Sequence, residues 1–556
     1  MQNVSRRSFI QGATVAGSIA AAAAAMPVAA KADEQTVTYK HSWEVAPDPI
    51  TDIADTKDYD VVVVGAGLAG LSAAEAAARN GAKVAVLEKS DSYQLRGIDV
   101  GHIGSKWQQE NGVDINPRVA ARLLYQWSQQ TTNYNLIYTW ASRSGKVFDY
   151  IQELADANGV QMVSAISATA KTDWSELPER WRVYSDAVSF IRGDEVGQNK
   201  DKRPDDKTVN WNLGDMLADS AISNGAEFFY TTPAEQLVGD ATSGITGVIA
   251  TDADGNHVQF NAAQGVILAT GDISGNQEMV DAFAPICNRA DSFLYTPGGC
   301  NTGDAITMGC WAGAAVSKSA AAPMVHQFKS NTRSFNLTSF KMTWLAVNRN
   351  GERYGADLSF EPYLTNARMN QPGSVAWSIF DADYTTYVQA QWPEKYDFWL
   401  DGIDDQMATA TEEGLLISAD TLEELAEKID VPYEKFQATI DRYNSMYDAG
   451  VDEDFDVPAR FLSQVKNPPF YAVPNVCSVL CIPFGLHVND DSQVCTAEDE
   501  AIPGLFAIGN CQGDFFGLAY PVHCPGVSHG RCVTFGQLVG EALAQGKTIT
   551  QTAAEE

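Results

Sequence analysis

The chain has 556 residues, 45% of them apolar and 10% aromatic, with 44 glycines. That length is too great for one core, and the composition is that of a globular enzyme with two or three domains. A formal net charge of −33 argues against a nucleic-acid partner, because phosphate binding depends on Lys/Arg patches, and it obliges an anionic substrate to find local cations.

The N-terminus reads as an address. Ser5-Arg6-Arg7-Ser8-Phe9-Ile10 is a twin-arginine sequence, a soft Ala/Gly/Val run follows to Ala25, and Ala30-Lys31-Ala32 is an A-x-A exit. Residues 1–32 are expected to be a twin-arginine signal peptide, read by the twin-arginine export machinery, which delivers the protein to the periplasm or extracytoplasmic cell surface. No cysteine near the leader's end suggests a lipid anchor, and no later segment has 18 apolar residues in a row. Residues 33–57 are polar, carry Pro47 and Pro49, and read as a linker.

Tyr59–Lys89, YDVVVVGAGLAGLSAAEAAARNGAKVAVLEK, holds strand, glycine turn, helix, strand and acidic residue in the order a dinucleotide-binding βαβ unit needs. Gly65 makes the turn, Gly67 admits the backbone to a pyrophosphate, and Gly70 lets helix pack on strand. Ala66, Leu68 and Ala69 complete the loop, whose helix end offers unpaired N–H groups to phosphate. Glu88, 18 residues after Gly70, is placed to accept from ribose hydroxyls, with Lys89 beside it. Gly97 and Gly104 join the cofactor candidates.

Residues 117–160 carry helical periodicity. Short β runs follow at Ala226–Tyr230, Ile245–Ala250 and His257–Phe260, then an apolar strand at Gly265–Thr270 running into Gly271. From about 325 to 468 the chain is aromatic and loop-rich, then carries a helix pair: Thr421-Leu422-Glu423-Glu424 is a capping box and Tyr433–Tyr447 a helix. Glycine-rich strands return to Thr534. The expected fold class is α/β: a Rossmann-like cofactor domain from two segments, 58–324 and 469–546, with an inserted α+β capping domain at 325–468 and a tail at 547–556. No internal repeat is visible. Nine cysteines, all in the second half, form neither a disulfide framework nor a CxxC metal site, and no C-x-x-C-H haem motif occurs.

The chain resembles the FAD-binding flavoprotein family of fumarate reductase, urocanate reductase and 3-ketosteroid dehydrogenase. The resemblance is carried by VVVVGAGLAG with Glu88, VILATGDISGN (266–276), NTGDAITMGCWAGA (301–314), AVNRNGERY (346–354), TLEELAEKI and RYN (421–444), NPPFYAV (467–473), IPGLFAIGN (502–510) and GRCVTFGQLVGEAL (530–543). It implies FAD as cofactor. Thr270, Gly271 and Asp272, then Asp304 at a helix start, then Gly509 and Asn510, are the further cofactor positions it implies.

The resemblance also implies hydride delivery from flavin N5 to an activated double bond, with a protein acid protonating the neighbouring carbon. His326 falls near the family's first carboxylate-binding histidine, and Arg353 on its Arg-Phe pair. The acid and donor arginine expected next fall on Asp357 and Glu361, leaving Arg368 as the nearest substitute. The second substrate histidine falls on Cys481, and the clamp arginine is replaced within GLAYPVHCPGVSHGRC (517–532). Fumarate is therefore not the expected substrate. That last stretch resembles the Tyr-Pro…Pro-Gly turn of ketosteroid dehydrogenases, which makes Tyr520 the candidate that polarises a carbonyl and His523 or His529 the candidate proton donor. Of the two histidines His529 reads more as structural, and Arg531 reads as an ion-pair or flavin-side residue.

The expectation is an exported FAD enzyme reducing an activated C=C bond, an enoate or enone acting as a small-molecule electron acceptor, in anaerobic respiration. With no haem of its own, it needs a separate electron donor, for which the family suggests a membrane multihaem cytochrome. A ketosteroid-type dehydrogenase and a non-catalytic electron-transfer flavoprotein remain the alternatives.

Overall fold

Val61, Val62 and Val63 are fully buried at the centre of a sheet in the computed structural model, which describes residues 41–97, 99–165, 186–192, 211–294, 299–327, 335–338, 342–358, 361–393, 396–522 and 524–555. A strand covered on both faces reads as an unbroken apolar run rather than an alternation, and burying each valine is worth roughly 1.5–3 kcal/mol. This strand is β1 (Ile53–Val64); α1 (Leu68–Arg79), β2 (Val84–Leu87), β3 (Glu227–Phe229) and β4 (His257–Leu268) follow in the chain. β1 lies between β2 and β4, in parallel with both, and β3 extends the sheet beyond β2.

After β4 come α2 (Asp304–Trp311), β5 (Met324–His326), α3 (Glu361–Met369), β6 (Ser478–Cys481), β7 (Ala501–Ala507) and α4 (Val527–Ala544). β7 returns to pair parallel with β4 from more than 230 residues away, so the cofactor sheet is built from two chain segments. α4 packs on α1 through small residues: a Cβ at Gly540 would meet the Ala73 carbonyl oxygen at 2.3 Å. A second sheet joins β5 to β6, pairing His326 with Ser478 and Met324 with Cys481.

The inserted domain has its own four-stranded antiparallel sheet, Leu345–Asn348, Ala376–Phe380, Phe470–Pro474 and Ile417–Ala419, and its own core around Phe436, Ile440 and Phe461. Thr421 caps the helix Leu422–Lys428 by accepting from the Glu424 N–H at 3.1 Å.

Three boundaries differ from the sequence reading. Residues 33–57 are not wholly a linker: Trp43 is buried against Ile273, Met279 and Ile306, Ser42 donates to Glu278, and β1 begins at Ile53. The cap extends past 468, because Phe470–Pro474 pairs with Ala376–Phe380 and Ile417–Ala419. His257–Phe260 and Gly265–Thr270 are one strand rather than two, since pairing with β1 carries the polar Asn261–Gln264 stretch through. The signal peptide expected at residues 1–32 lies outside the described residues. No described helix is long and apolar enough to cross a membrane. All nine cysteines are free thiols.

Candidate active site

The loop between β1 and α1 forms one wall of a cleft of about 330 Å3. Gly65 sits at φ +101°, a conformation closed to most side chains, and a Cβ at Gly70 would lie 1.9 Å from the Gly65 carbonyl oxygen. Gly67, Leu68 and Ala69 line the cleft, with Gly70 and Ala66 holding the turn behind them. A Cβ at Gly67 would have its nearest neighbour, the Gln94 carbonyl oxygen, at 3.6 Å, so the backbone there is open to a ligand. Glu88 is buried at the end of β2, where its carboxylate accepts from the Ala66 and Ser90 N–H groups at 2.8 Å each. It thereby ties the glycine turn to the strand end.

The opposite side of the cleft comes from distant segments. Gly271 lines it, while Thr270 accepts from the Ala305 N–H at 3.1 Å and anchors the start of α2. Lys89 bridges to that same helix end, donating to Thr302 at 2.8 Å and to Asp304 at 2.9 Å. Asp272 is wholly buried and pairs with Arg96 at 3.1 Å. Arg96 also donates to the Leu480 carbonyl, and its Nη2 is buried in the cleft wall with no protein partner. An unsatisfied buried donor of that kind calls for an acceptor on a bound ligand. Gly509, Asn510 and Gly97 complete this wall. Gly104 is not among the lining residues; its N–H donates to Gln108 and it packs on the Gly145 backbone.

The far end of the cleft is mostly apolar, with Met324, Leu480, Cys481 and Val522 beside His326 and Tyr520. Tyr520 is 2% exposed, and its hydroxyl oxygen accepts from the Ser528 N–H at 3.1 Å. Burial pushes its pKa upward, so the phenol stays protonated. His529 also faces the cleft although its spacing read as structural: its ring sits where a Cβ on Gly97 would be. Its Nδ1 donates to the Asp99 carbonyl at 2.8 Å, and burial lowers its pKa, so the ring is neutral with Nε2 as an acceptor. Burial raises the Cys481 and Cys532 thiols, leaving them protonated.

Two arginines expected at the substrate are elsewhere. Arg353 is locked between Asp357 at 2.6 Å and Asp452 at 2.8 Å in the cap, and it does not line the cleft. Its role there is to staple the turn after Leu345–Asn348 to the loop after Tyr433–Ala449. Asp357 lies so deep that burial pushes its pKa up to about 6 despite the guanidinium beside it. Arg368 on α3 pairs with Asp291 at 2.9 Å and is not among the lining residues. His523 lies outside the described residues. Arg96 and Ser528 are among the lining residues that sequence spacing did not single out, and His529, which read more as structural than as a proton donor, lines the cleft with them. The signal for His529 and Ser528 was their place on the first turn of the glycine-led helix α4.

Among the described lining residues Arg96 is the only Lys or Arg, and it is neutralised by Asp272. The cleft thus combines a glycine turn and helix end suited to a pyrophosphate, an orphaned guanidinium N–H, and an apolar pocket with one phenol.

Residues 60–100 and 131–524 match the FAD binding domain family. The chain is 25% identical over 521 residues to the vinyl phenol reductase of Lactiplantibacillus plantarum, covering 89% of this chain and 98% of that protein. It is 23% identical to a probable fumarate reductase of Shewanella frigidimarina, covering 91% of this chain and 82% of that protein. Its fold is similar to the crystal structure of 3-ketosteroid-Δ4-(5α)-dehydrogenase from Rhodococcus jostii, with a TM-score of 0.68 at 22% identity, covering 88% of this chain and 97% of that one. The cofactor is FAD, and the glycine turn, the Glu88 carboxylate and the unpaired Arg96 N–H are residues that fit it. The chain belongs to the FAD binding domain family and is an FAD-dependent, fumarate reductase-like oxidoreductase acting on CH–CH bonds.

Proposed function

We propose that the protein is an exported reductase of an activated C=C bond, an enoate or enone, rather than of a dicarboxylate. The observation that carries the reading is Tyr520: a protonated phenol, buried in an apolar pocket whose one described Lys or Arg, Arg96, is already neutralised by Asp272. A dicarboxylate needs two cationic clamps, whereas a carbonyl or a single polar group needs one hydrogen-bond donor.

Bound FAD supplies hydride transfer between its N5 and a substrate carbon. The chain's own residues do the rest. The Ser528 N–H occupies a lone pair on the Tyr520 oxygen, which leaves the phenolic proton free to polarise a substrate carbonyl. Met324, Leu480, Cys481 and Val522 keep water from the reacting carbons. His326 on β5 and the neutral His529 on α4 offer ring nitrogens for a second polar group.

The vinyl phenol reductase relative supports an alkene without two carboxylates, so hydroxyphenyl alkenes belong in the same screen. Twin-arginine export, anaerobic respiration and a separate, membrane-bound multihaem donor complete the proposal, resting on Arg6-Arg7 and the missing haem motifs.

The test is anaerobic oxidation of reduced viologen by purified protein with enoates, enones and hydroxyphenyl alkenes. Turnover supports the reading. No viologen oxidation by any of them, alongside dye-linked oxidation of a ketosteroid, would favour the dehydrogenase direction, which the same tyrosine serves by polarising a ketone.

A further inference from the structure

Arg531 is a fully buried cation without an acid. It is 1% exposed on the second turn of α4. Its Nη2 donates to the Asn510 side-chain oxygen at 3.0 Å, its Nη1 reaches the Gln512 carbonyl at 3.5 Å, and its Nε has no partner. Phe515 and Phe516 flank the guanidinium, with ring centroids 5.1 and 4.6 Å away. Among the described residues no carboxylate pairs with it, in contrast to Arg353 with two aspartates and Arg368 with one.

A guanidinium keeps its proton in proteins, and carbonyls and ring faces satisfy its hydrogen bonds without cancelling its charge. The acidic-capable groups nearest it, the Cys481, Cys511 and Cys532 thiols and the Tyr520 phenol, are all held protonated by burial. An uncompensated charge at this depth is costly unless something brings the opposite charge.

The route to the cleft is one amide long. The Asn510 oxygen accepts both Arg531 Nη2 and the Ser528 hydroxyl, each at 3.0 Å. Its nitrogen is thereby turned toward the buried Asp272, 3.5 Å away. Asn510, Gly526 and Ser528 all line the cleft, so the positive end of α4 adds to the same field.

We propose that Arg531 is a positioning residue for reduced FAD: its counter-charge arrives with the cofactor when the flavin takes up two electrons and one proton and carries one negative charge. The electrons come from an external reductant; no bond to the protein forms. Arg531 therefore raises the flavin's reduction potential, holds the reduced ring anionic, and fixes the orientation of Asn510, which lines the cleft.

The experiment is a dye-referenced redox titration of the FAD-loaded full chain, comparing Arg531→Met and Arg531→Lys with the unchanged protein. Arg531→Met should favour the oxidised flavin by about 10–100-fold, a potential lower by about 30–60 mV for a two-electron couple. Arg531→Lys should stay within about threefold, since the charge is kept. An Arg531→Met potential equal to that of the unchanged protein overturns the proposal. Should Arg531→Met fail to fold, the absorbance spectrum of the reduced, unchanged protein decides. At mildly acidic pH, where free reduced flavin is neutral, the anionic spectrum is expected and the neutral one overturns the proposal.

Discussion

The Ser528 N–H donates to the Tyr520 hydroxyl oxygen at 3.1 Å, and this contact sets the direction of the tyrosine's own proton. With one lone pair engaged at the start of α4, the phenol presents its O–H to the cleft. Burial keeps it protonated, so it acts as a hydrogen-bond donor rather than as a base.

Tyr520→Phe removes that donor and almost no volume. Substrate-dependent flavin reoxidation should slow by about 10²–10⁴-fold, while FAD content and the flavin spectrum stay unchanged. Activity equal to that of the unchanged protein would remove the tyrosine from the mechanism.

Gly70→Ala should cost the protein its cofactor. The added methyl would lie 1.9 Å from the Gly65 carbonyl oxygen, so α1 has to shift away from the turn. Overpacking of this kind costs about 1–3 kcal/mol, and the same shift spoils the pyrophosphate cradle. The purified variant should carry little FAD, read from its absorbance ratio.

Arg353→Met should damage the cap without touching the flavin. Removing one partner of a buried ion pair costs about 3–5 kcal/mol, because Asp357 and Asp452 are left uncompensated. The melting temperature should fall while the flavin's reduction potential stays as it was. A potential that moved would place Arg353 closer to the cofactor than its contacts do.

His487 gives the stability a pH dependence. It bridges Asp514 at 2.6 Å and Asp499 at 2.7 Å, and the Asp514 hydrogen bond raises its pKa. Because the folded value lies above the unfolded one, the contribution is fully present below about pH 6.5. It is lost as pH rises through the raised value. His487→Gln should flatten that part of the stability profile, measured by thermal unfolding across the neutral range; an unchanged profile would show that the pair does not titrate.

The cofactor half of the site was legible because its chemistry is local. Gly65, Gly67 and Gly70 fall within one turn, and their spacing alone fixes what can approach them. The second FAD segment was legible through its glycines, since Gly509 must end a strand that pairs with β4. The substrate half was not. Arg353 and Asp357 occupy the positions of the Arg-Phe pair and the acidic residue that the resemblance placed near the substrate, yet Asp452, nearly 100 residues away, turns them into an internal staple. Likewise Arg96 acquires meaning only through Asp272 and Leu480, and His529 only through Gly97. Contacts made across such distances leave no spacing in the sequence. Trp43 was missed for a related reason: a lone aromatic in a polar stretch looks like linker until its partners Ile273 and Ile306 are in place.

The most direct measurement is anaerobic mixing of the reduced, FAD-loaded protein with an enoate, an enone and a hydroxyphenyl alkene, following flavin reoxidation and the product together. Reoxidation by at least one of them, with an equal amount of saturated product, is the result expected. A flavin that stays reduced with all three, while the oxidised protein is reduced by a saturated ketone, would contradict the account.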